Sequence, residues 1–192
     1  MSQAIFRTVG QALHVAFTIL SQPPMGRGNT QAVIEQLMRD AGVLREVERD
    51  GTVNLRGLSG LEVRGQCAMI RGAVLHHCTA PEIHAIQGWY AHDETKAEGV
   101  RFLREWCADQ FTIQMPEAQM LVTWRANVTE DSKAAKFCSV RDIEGQYQIP
   151  RSTAQRNVAA IAKNCRALRA QGERRLEPMF IAHGLVDDPA FA

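Results

Sequence analysis

Apolar residues along this chain recur every three or four positions in most segments, the repeat that gathers them on one side of an α-helix. Phe6, Val9, Leu13, Phe17 and Leu20 form one such stripe and predict a core helix near the start of the chain. Asn29 precedes Ala32, Val33, Leu37 and Met38, and Gly42 follows them, which supplies an N-cap at one end and a left-handed stop at the other. Ser59 with Glu62, and Thr79 with Glu82, stand at capping-box spacing, so a helix is expected to start at each. The first runs to about His77 and buries Val63, Ile70 and Val74 with Cys67 or Cys78; the second carries Ile83, Ile86, Trp89 and Tyr90. From Glu94 to about Gln110, Val100, Leu103, Trp106 and Cys107 share a face, and Pro116-Glu117 opens a run through Met120, Leu121 and Trp124. Strand signals are sparse. Val47, Val53 and Leu55 alternate around Asp50-Gly51, which permits a small β-hairpin near 43–58. The expected fold is mainly α, with a helical N-terminal body over 1–130 and a distinct region over 131–192.

Composition narrows the class. The chain has 192 residues, 45% of them apolar and 22% charged, enough to bury a core without disulfide or metal staples and unlike a disordered or fibrous sequence. Its five cysteines, Cys67, Cys78, Cys107, Cys138 and Cys165, are irregularly spaced, and reduced thiols in a cytoplasmic compartment are the expectation. The apolar run Val9 to Leu20 is interrupted by Gln11, His14 and Thr18, lacks a basic flank beyond Arg7 and a small-x-small cleavage site, and is too short to span a bilayer. No membrane association is expected.

Charge is distributed less evenly than the total suggests. Between Pro150 and Arg175 there are seven basic residues and one acid, a local charge of +6 in a chain whose total is +1. On charge alone a solvated helix face is the favoured reading, ahead of an attraction for a polyanion concentrated in one place. The residues around it favour the second. Ser139 can cap a short helix with Asp142 in its first turn; Val140, Ile143 and Tyr147 share a face; Ile149 fills a corner; Pro150 suits the first turn of a second helix; and Ala154, Val158 and Ile161 give that helix a buried stripe. Arg151, Ser152, Gln155, Arg156 and Ala159 then point the other way, and long hydrogen-bonding side chains are what reading a major groove requires.

Ile143, Tyr147, Ile149, Arg151-Ser152-Thr153 and Arg156 resemble, in register, the helix-turn-helix of DNA-binding proteins. Two positions depart from that pattern: Glu144 stands where a small residue is usual, and Gln148 where glycine usually accepts the positive φ of the turn. The layout of a helical body followed by this motif, with Ala68 to Val74, Pro81 and Trp89-Tyr90 in the body, is similar to phage- and prophage-encoded antiterminators of the Q type. That resemblance implies a transcription regulator that binds double-stranded DNA and contacts RNA polymerase. Arg151, Ser152, Gln155 and Arg156 are then base readers, Thr153 a phosphate contact, and Arg141, Lys163, Arg166 and Arg169 electrostatic anchors. Leu176, Phe180, Ile181 and Leu185 suggest a terminal helix that either folds back or pairs with another subunit as a homodimer, with Gly184 as its stop.

Other readings compete. The same helical pair could dock on a protein partner as an adaptor, without touching bases. Cys67, His76, His77, Cys78 and His84 include zinc-ligand types, but their intervals match no finger, and on one helix Cys67 and Cys78 lie about 16 Å apart. Core cysteines and capping histidines explain them better. No glycine-rich phosphate loop, HExxH or GxSxG motif is present, so neither an enzyme nor a cofactor is expected. The aromatic residues Trp89, Tyr90, Trp106 and Trp124 are expected in the core, and Met25-Gly26-Arg27-Gly28 as a connection.

Overall fold

A computed structural model describes residues 4–22, 32, 35–36, 38–39, 53, 55, 58–128 and 138–187. Among them the chain is mainly helical: α1 Val9–Leu20, α2 Gly60–His77, α3 Ala80–Tyr90, α4 Asp93–Trp106, α5 Pro116–Ala126, α6 Val140–Tyr147 and α7 Arg151–Ala182, with a single 3-10 turn at Ala108–Gln110. Residues 32, 35–36 and 38–39 are also helical, but the predicted cap Asn29 and stop Gly42 lie outside the described residues. So does most of the predicted hairpin near 43–58, of which Val53, Leu55 and Leu58 are described and none is in a strand. Extended pairing among the described residues is limited to one parallel bridge between Phe6 and Val186. No helix among them is long and apolar enough to cross a membrane.

The chain divides into two compact units, Met1–Thr79 with Tyr90–His92 and Gly172–Ala192, and Ala80–Trp89 with Asp93–Gln171. In the first, α1 packs along α2. The Thr8 side chain caps α1 by accepting from the Gln11 N–H at 3.0 Å. The predicted stripe of α1 widens into burial on all sides, with Gln11, His14 and Thr18 buried alongside Val9, Leu13 and Phe17. Polar groups inside such a helix need partners: the Gln11 side chain accepts from the Arg7 N–H at 2.8 Å, Thr18 Oγ1 lies 3.1 Å from His92 Nε2, and the His14 ring meets Tyr90 edge-on at 4.5 Å. Arg64 reaches from α2 to donate to the Ile19 and Gln22 carbonyls at 3.1 and 2.8 Å, placing a cation at the negative end of α1. The Ser59–Glu62 capping box forms as predicted, and α2 buries Val63, Cys67, Ile70 and Val74. The hydrogen bonds from Ser59 hold the Glu62 carboxyl below its usual range.

The second unit has its own core, formed around Leu103, Cys107, Val122, Ile143, Ala154 and Ile161. α4 packs on α5, and α5 on α6. Helices α3 and α4 cross closely at Gly99, where a Cβ would come within 2.8 Å of the Gly88 nitrogen and the His84 carbonyl oxygen. Only glycine fits there. Lys96 donates to the Gly88 and Asn127 carbonyls at 2.6 and 3.0 Å, tying α4 to α3 and to the end of α5. Trp106, predicted on the buried face of α4, is instead 54% exposed and stacks on Phe102. Leu103 and Cys107, on either side of it in sequence, take the buried positions instead. The terminal helix predicted from Leu176, Phe180, Ile181 and Leu185 is not a separate element: α7 continues through Pro178 to Ala182. It stops at Gly184, whose φ is +66° and whose N–H donates to the Ile181 carbonyl.

Candidate nucleic-acid interface

Two helices form near the carboxyl end on either side of a short turn, with Ile143, Ile149 and Ala154 in one core cluster, and each local feature has an identifiable cause. Ser139 and Asp142 make a reciprocal capping box at the start of α6: Asp142 Oδ2 accepts from the Ser139 N–H at 2.8 Å, and the Ser139 hydroxyl accepts from the Asp142 N–H at 3.3 Å. These bonds hold the Asp142 carboxyl below its usual range. Eight residues later the helix ends at Gln148, at φ 53° and ψ 32°. It is the one non-glycine residue among the described residues with positive φ, a left-handed conformation that costs a side-chain-bearing residue about 1–2 kcal/mol. Glycine at this position would carry no such cost. Ile149 is buried in the corner. Pro150 stands just outside α7 rather than in its first turn, and its carbonyl accepts from the Thr153 and Ala154 N–H groups at 2.8 and 3.0 Å. It acts as the cap.

The inner face of α7 consists of Ala154, Asn157, Ile161 and Cys165, all buried, with Leu168 packed behind them. Val158, predicted to be in this stripe, is only half-buried, and Asn157 takes the inward position. Pattern reading missed Asn157 because an amide seldom marks a core face. Its Oδ1 accepts from the Thr112 N–H at 2.9 Å, while its Nδ2 donates to Thr112 Oγ1 at 2.7 Å and to the Thr153 carbonyl at 2.9 Å. The helix is thereby pinned in rotation against the segment before α5. Lower down, the Cys165 sulfur accepts from Asn127 Nδ2 at 3.5 Å and from the Cys107 thiol, which this bond and burial push well above the ordinary thiol range.

On the outer face, Arg141, Arg151, Ser152, Gln155, Arg156, Lys163 and Arg166 are exposed, and Thr153 is half-buried. No acidic residue lies between 151 and 171. Arg156 lies back along its own helix, donating to the Ser152 carbonyl and to Thr153 Oγ1, each at 3.3 Å; these are long, exposed bonds that a better acceptor can replace. Arg169 departs from the expectation: its guanidinium stacks over the Trp89 ring at 3.9 Å and is half-buried, so it packs the protein rather than standing out as an anchor. The hollow flanking Arg156, lined by Gln110, Thr112, Thr153, Asn157 and Ala160, has a volume of about 360 Å³ and is open to solvent. It is part of an outward surface and not an enclosing cleft.

The zinc-ligand residue types do not assemble: no group of three or more His, Cys, Asp or Glu among the described residues could hold a metal ion. His84 stacks on Phe102 at 4.0 Å, His76 meets His77 edge-on at 4.9 Å, and Cys67 is buried with its thiol pushed up to about 12. No protein-family model matches the chain, and no curated protein matches it.

Proposed function

We propose that this chain is a sequence-specific DNA-binding regulator of transcription that uses α6 and α7 as a helix-turn-helix. The observation that carries the reading is the left-handed turn at Gln148, closed over buried Ile149, which sets a pinned second helix with Ser152, Gln155 and Arg156 outward near its N-terminal end. In this motif the first residues of the second helix meet base edges. Arg156 and Gln155 carry the bidentate groups suited to guanine and adenine, and Arg151 and Ser152 flank them. Thr153 contacts a phosphate, and Arg141, Lys163 and Arg166 neutralise others. The finer reading, a late-gene antiterminator that also engages RNA polymerase, rests on the likeness of layout to Q-type proteins and assigns the polymerase contact to the helical body.

The test is a titration of the purified protein against genomic fragments at several salt concentrations, followed by protection mapping of any fragment retained. With three phosphate anchors per copy, the logarithm of the binding constant should fall by about 3 per tenfold rise in salt. A partner that the chain binds through apolar contact alone, with affinity indifferent to salt and no fragment protected, would favour the adaptor reading instead.

A further inference from the structure

A pair of thiols in the second unit has no part in the proposed DNA contact. Cys107 directly follows α4, and Cys165 lies near the middle of α7. Both are buried in one core cluster, where the Cys107 thiol donates to the Cys165 sulfur; all five cysteines are free. The Cys165 sulfur also accepts from Asn127 Nδ2 at 3.5 Å, and that amide is held in place by donating to the Thr123 carbonyl at 2.9 Å. Two donors aimed at one sulfur favour its thiolate, since the negative sulfur is the better acceptor. The Cys107 bond above all, then the Asn127 amide and the Arg169 guanidinium, hold Cys165 below the ordinary thiol range against the effect of its burial. By contrast, burial pushes the Cys67 and Cys138 thiols up.

Cys165 also lines a recess, with Trp89, Asn127, Arg166 and Arg169 among its described walls and a volume of about 10 Å³. That is room for about one water-sized molecule. Arg166 is exposed, and Trp89 and Arg169 are half-buried, so the recess lies at the edge of the core rather than sealed within it. Its chemistry is that of a nucleophilic sulfur beside guanidinium groups, which stabilise a departing anion. Its size restricts the electrophile to a very small one. We propose that Cys165 is a modification site for hydrogen peroxide, with Cys107 as the thiol that resolves the oxidised product into a disulfide. The Cys165 thiolate attacks one peroxide oxygen; an S–O bond forms, the O–O bond breaks, and hydroxide leaves past the arginines. Cys107 then attacks the sulfenic sulfur; the S–S bond forms, the S–O bond breaks, and the Cys107 proton departs with the hydroxyl as water. The two sulfurs give up two electrons and the peroxide takes them. The inference does not depend on DNA binding.

Non-reducing peptide mapping of the folded full chain by mass spectrometry, over a time course with hydrogen peroxide, tests it; a parallel arm contains dimedone, which captures sulfenic acids. In the wild type Cys165 should be oxidised more than about tenfold faster than Cys67, because the thiolate is the attacking species. Dimedone should label Cys165 at early times, and a disulfide between Cys107 and Cys165 should follow without it. Oxidised glutathione, too large for the recess, should leave Cys165 unmodified. In Cys107→Ser, where the hydroxyl keeps a donor in place, the disulfide should be lost and the dimedone label on Cys165 should persist; in Cys165→Ser both should be lost. Oxidation of Cys165 no faster than that of Cys67, or a disulfide that joins other cysteines in preference to this pair, overturns the proposal. Both outcomes are read on the wild type and stand whether or not the serine variants fold. An early dimedone label on Cys107 instead of Cys165, or ready modification of Cys165 by oxidised glutathione, overturns it as well.

Discussion

The residues that α2 exposes include the apolar or small Leu61, Gly65, Ala68, Met69, Gly72 and Leu75 beside Glu62, Arg71, His76 and His77; those that the first half of α7 exposes include Arg151, Ser152, Gln155, Arg156, Lys163 and Arg166. Both helices bury one stripe and offer the other to solvent, but water treats the two offers differently. Covering the α2 face releases apolar surface from water, a gain of about 25 cal/mol per Å² that salt hardly changes. Covering the α7 face removes hydration from guanidinium, ammonium and amide groups, which is unfavourable unless the new partner supplies charge and acceptors in their place. The first face therefore gains from apolar cover, and the second only from a partner that supplies charge and acceptors. Exposure alone does not say what a surface binds; the free energy of drying it does.

The sharpest way to separate the two faces is to remove the support of one. Ile143 is fully buried between the short helix and the core, and Ile143→Ala should destabilise the second unit by about 2–5 kcal/mol in urea unfolding. DNA affinity should fall with it while the first unit, in which α1 packs on α2, keeps its own unfolding transition. Loss of both together would show that the two units do not unfold independently. Next in size, Arg156→Ala should cost about 1–3 kcal/mol at the specific DNA site and little on random sequence, whereas Lys163→Ala should weaken all DNA alike and reduce the salt slope by about 1. Equal losses for both variants on both kinds of DNA, measured by fluorescence anisotropy, would break the division between reading and anchoring.

Two smaller changes touch neither face. Gln148→Gly should relieve the left-handed strain of the turn against the entropy glycine adds to the unfolded chain, a net stabilisation below about 1 kcal/mol. A loss of stability in the same melts would mean that the Gln148 side chain makes a compensating contact. Smallest is Asp142→Asn. Because the bonds from Ser139 hold the Asp142 carboxyl below the ordinary carboxylate range, its contribution is present above that range and is lost as pH falls through the lowered value. The wild type should lose stability on acidification below the ordinary carboxylate range, and the Asn variant should show less of that loss.

Much of this was legible in the order of residues, because caps and stops act within a few positions of themselves. Ser59 with Glu62, Ser139 with Asp142, and Gly184 declared helix ends that the folded chain confirms. The departure at Gln148 could likewise be read as a strained turn before its φ was known. Trp106 and Arg169 went the other way. Helical periodicity assigned the tryptophan to the core and the arginine to the surface, yet Trp106 is exposed and Arg169 lies on Trp89. A wheel gives the direction of a side chain, not whether another helix stands there to receive it. For the same reason Asn157, Lys96 and Arg64 escaped notice, since each acts on a backbone or side chain distant in sequence.

What the residues alone determined is local or additive: the helices and most of their ends, the bihelical segment from Ser139 onward, and the gathering of positive charge after Pro150. Nearest neighbours and composition suffice for these. Tertiary packing decided which stripe of each helix would stay wet, burying α1 all round, sparing the Leu61–Leu75 face of α2, and rotating α7 so that Asn157 turns inward and Arg156 outward. Those outcomes depend on close packing between segments far apart in the chain, and no short window of sequence contains both partners.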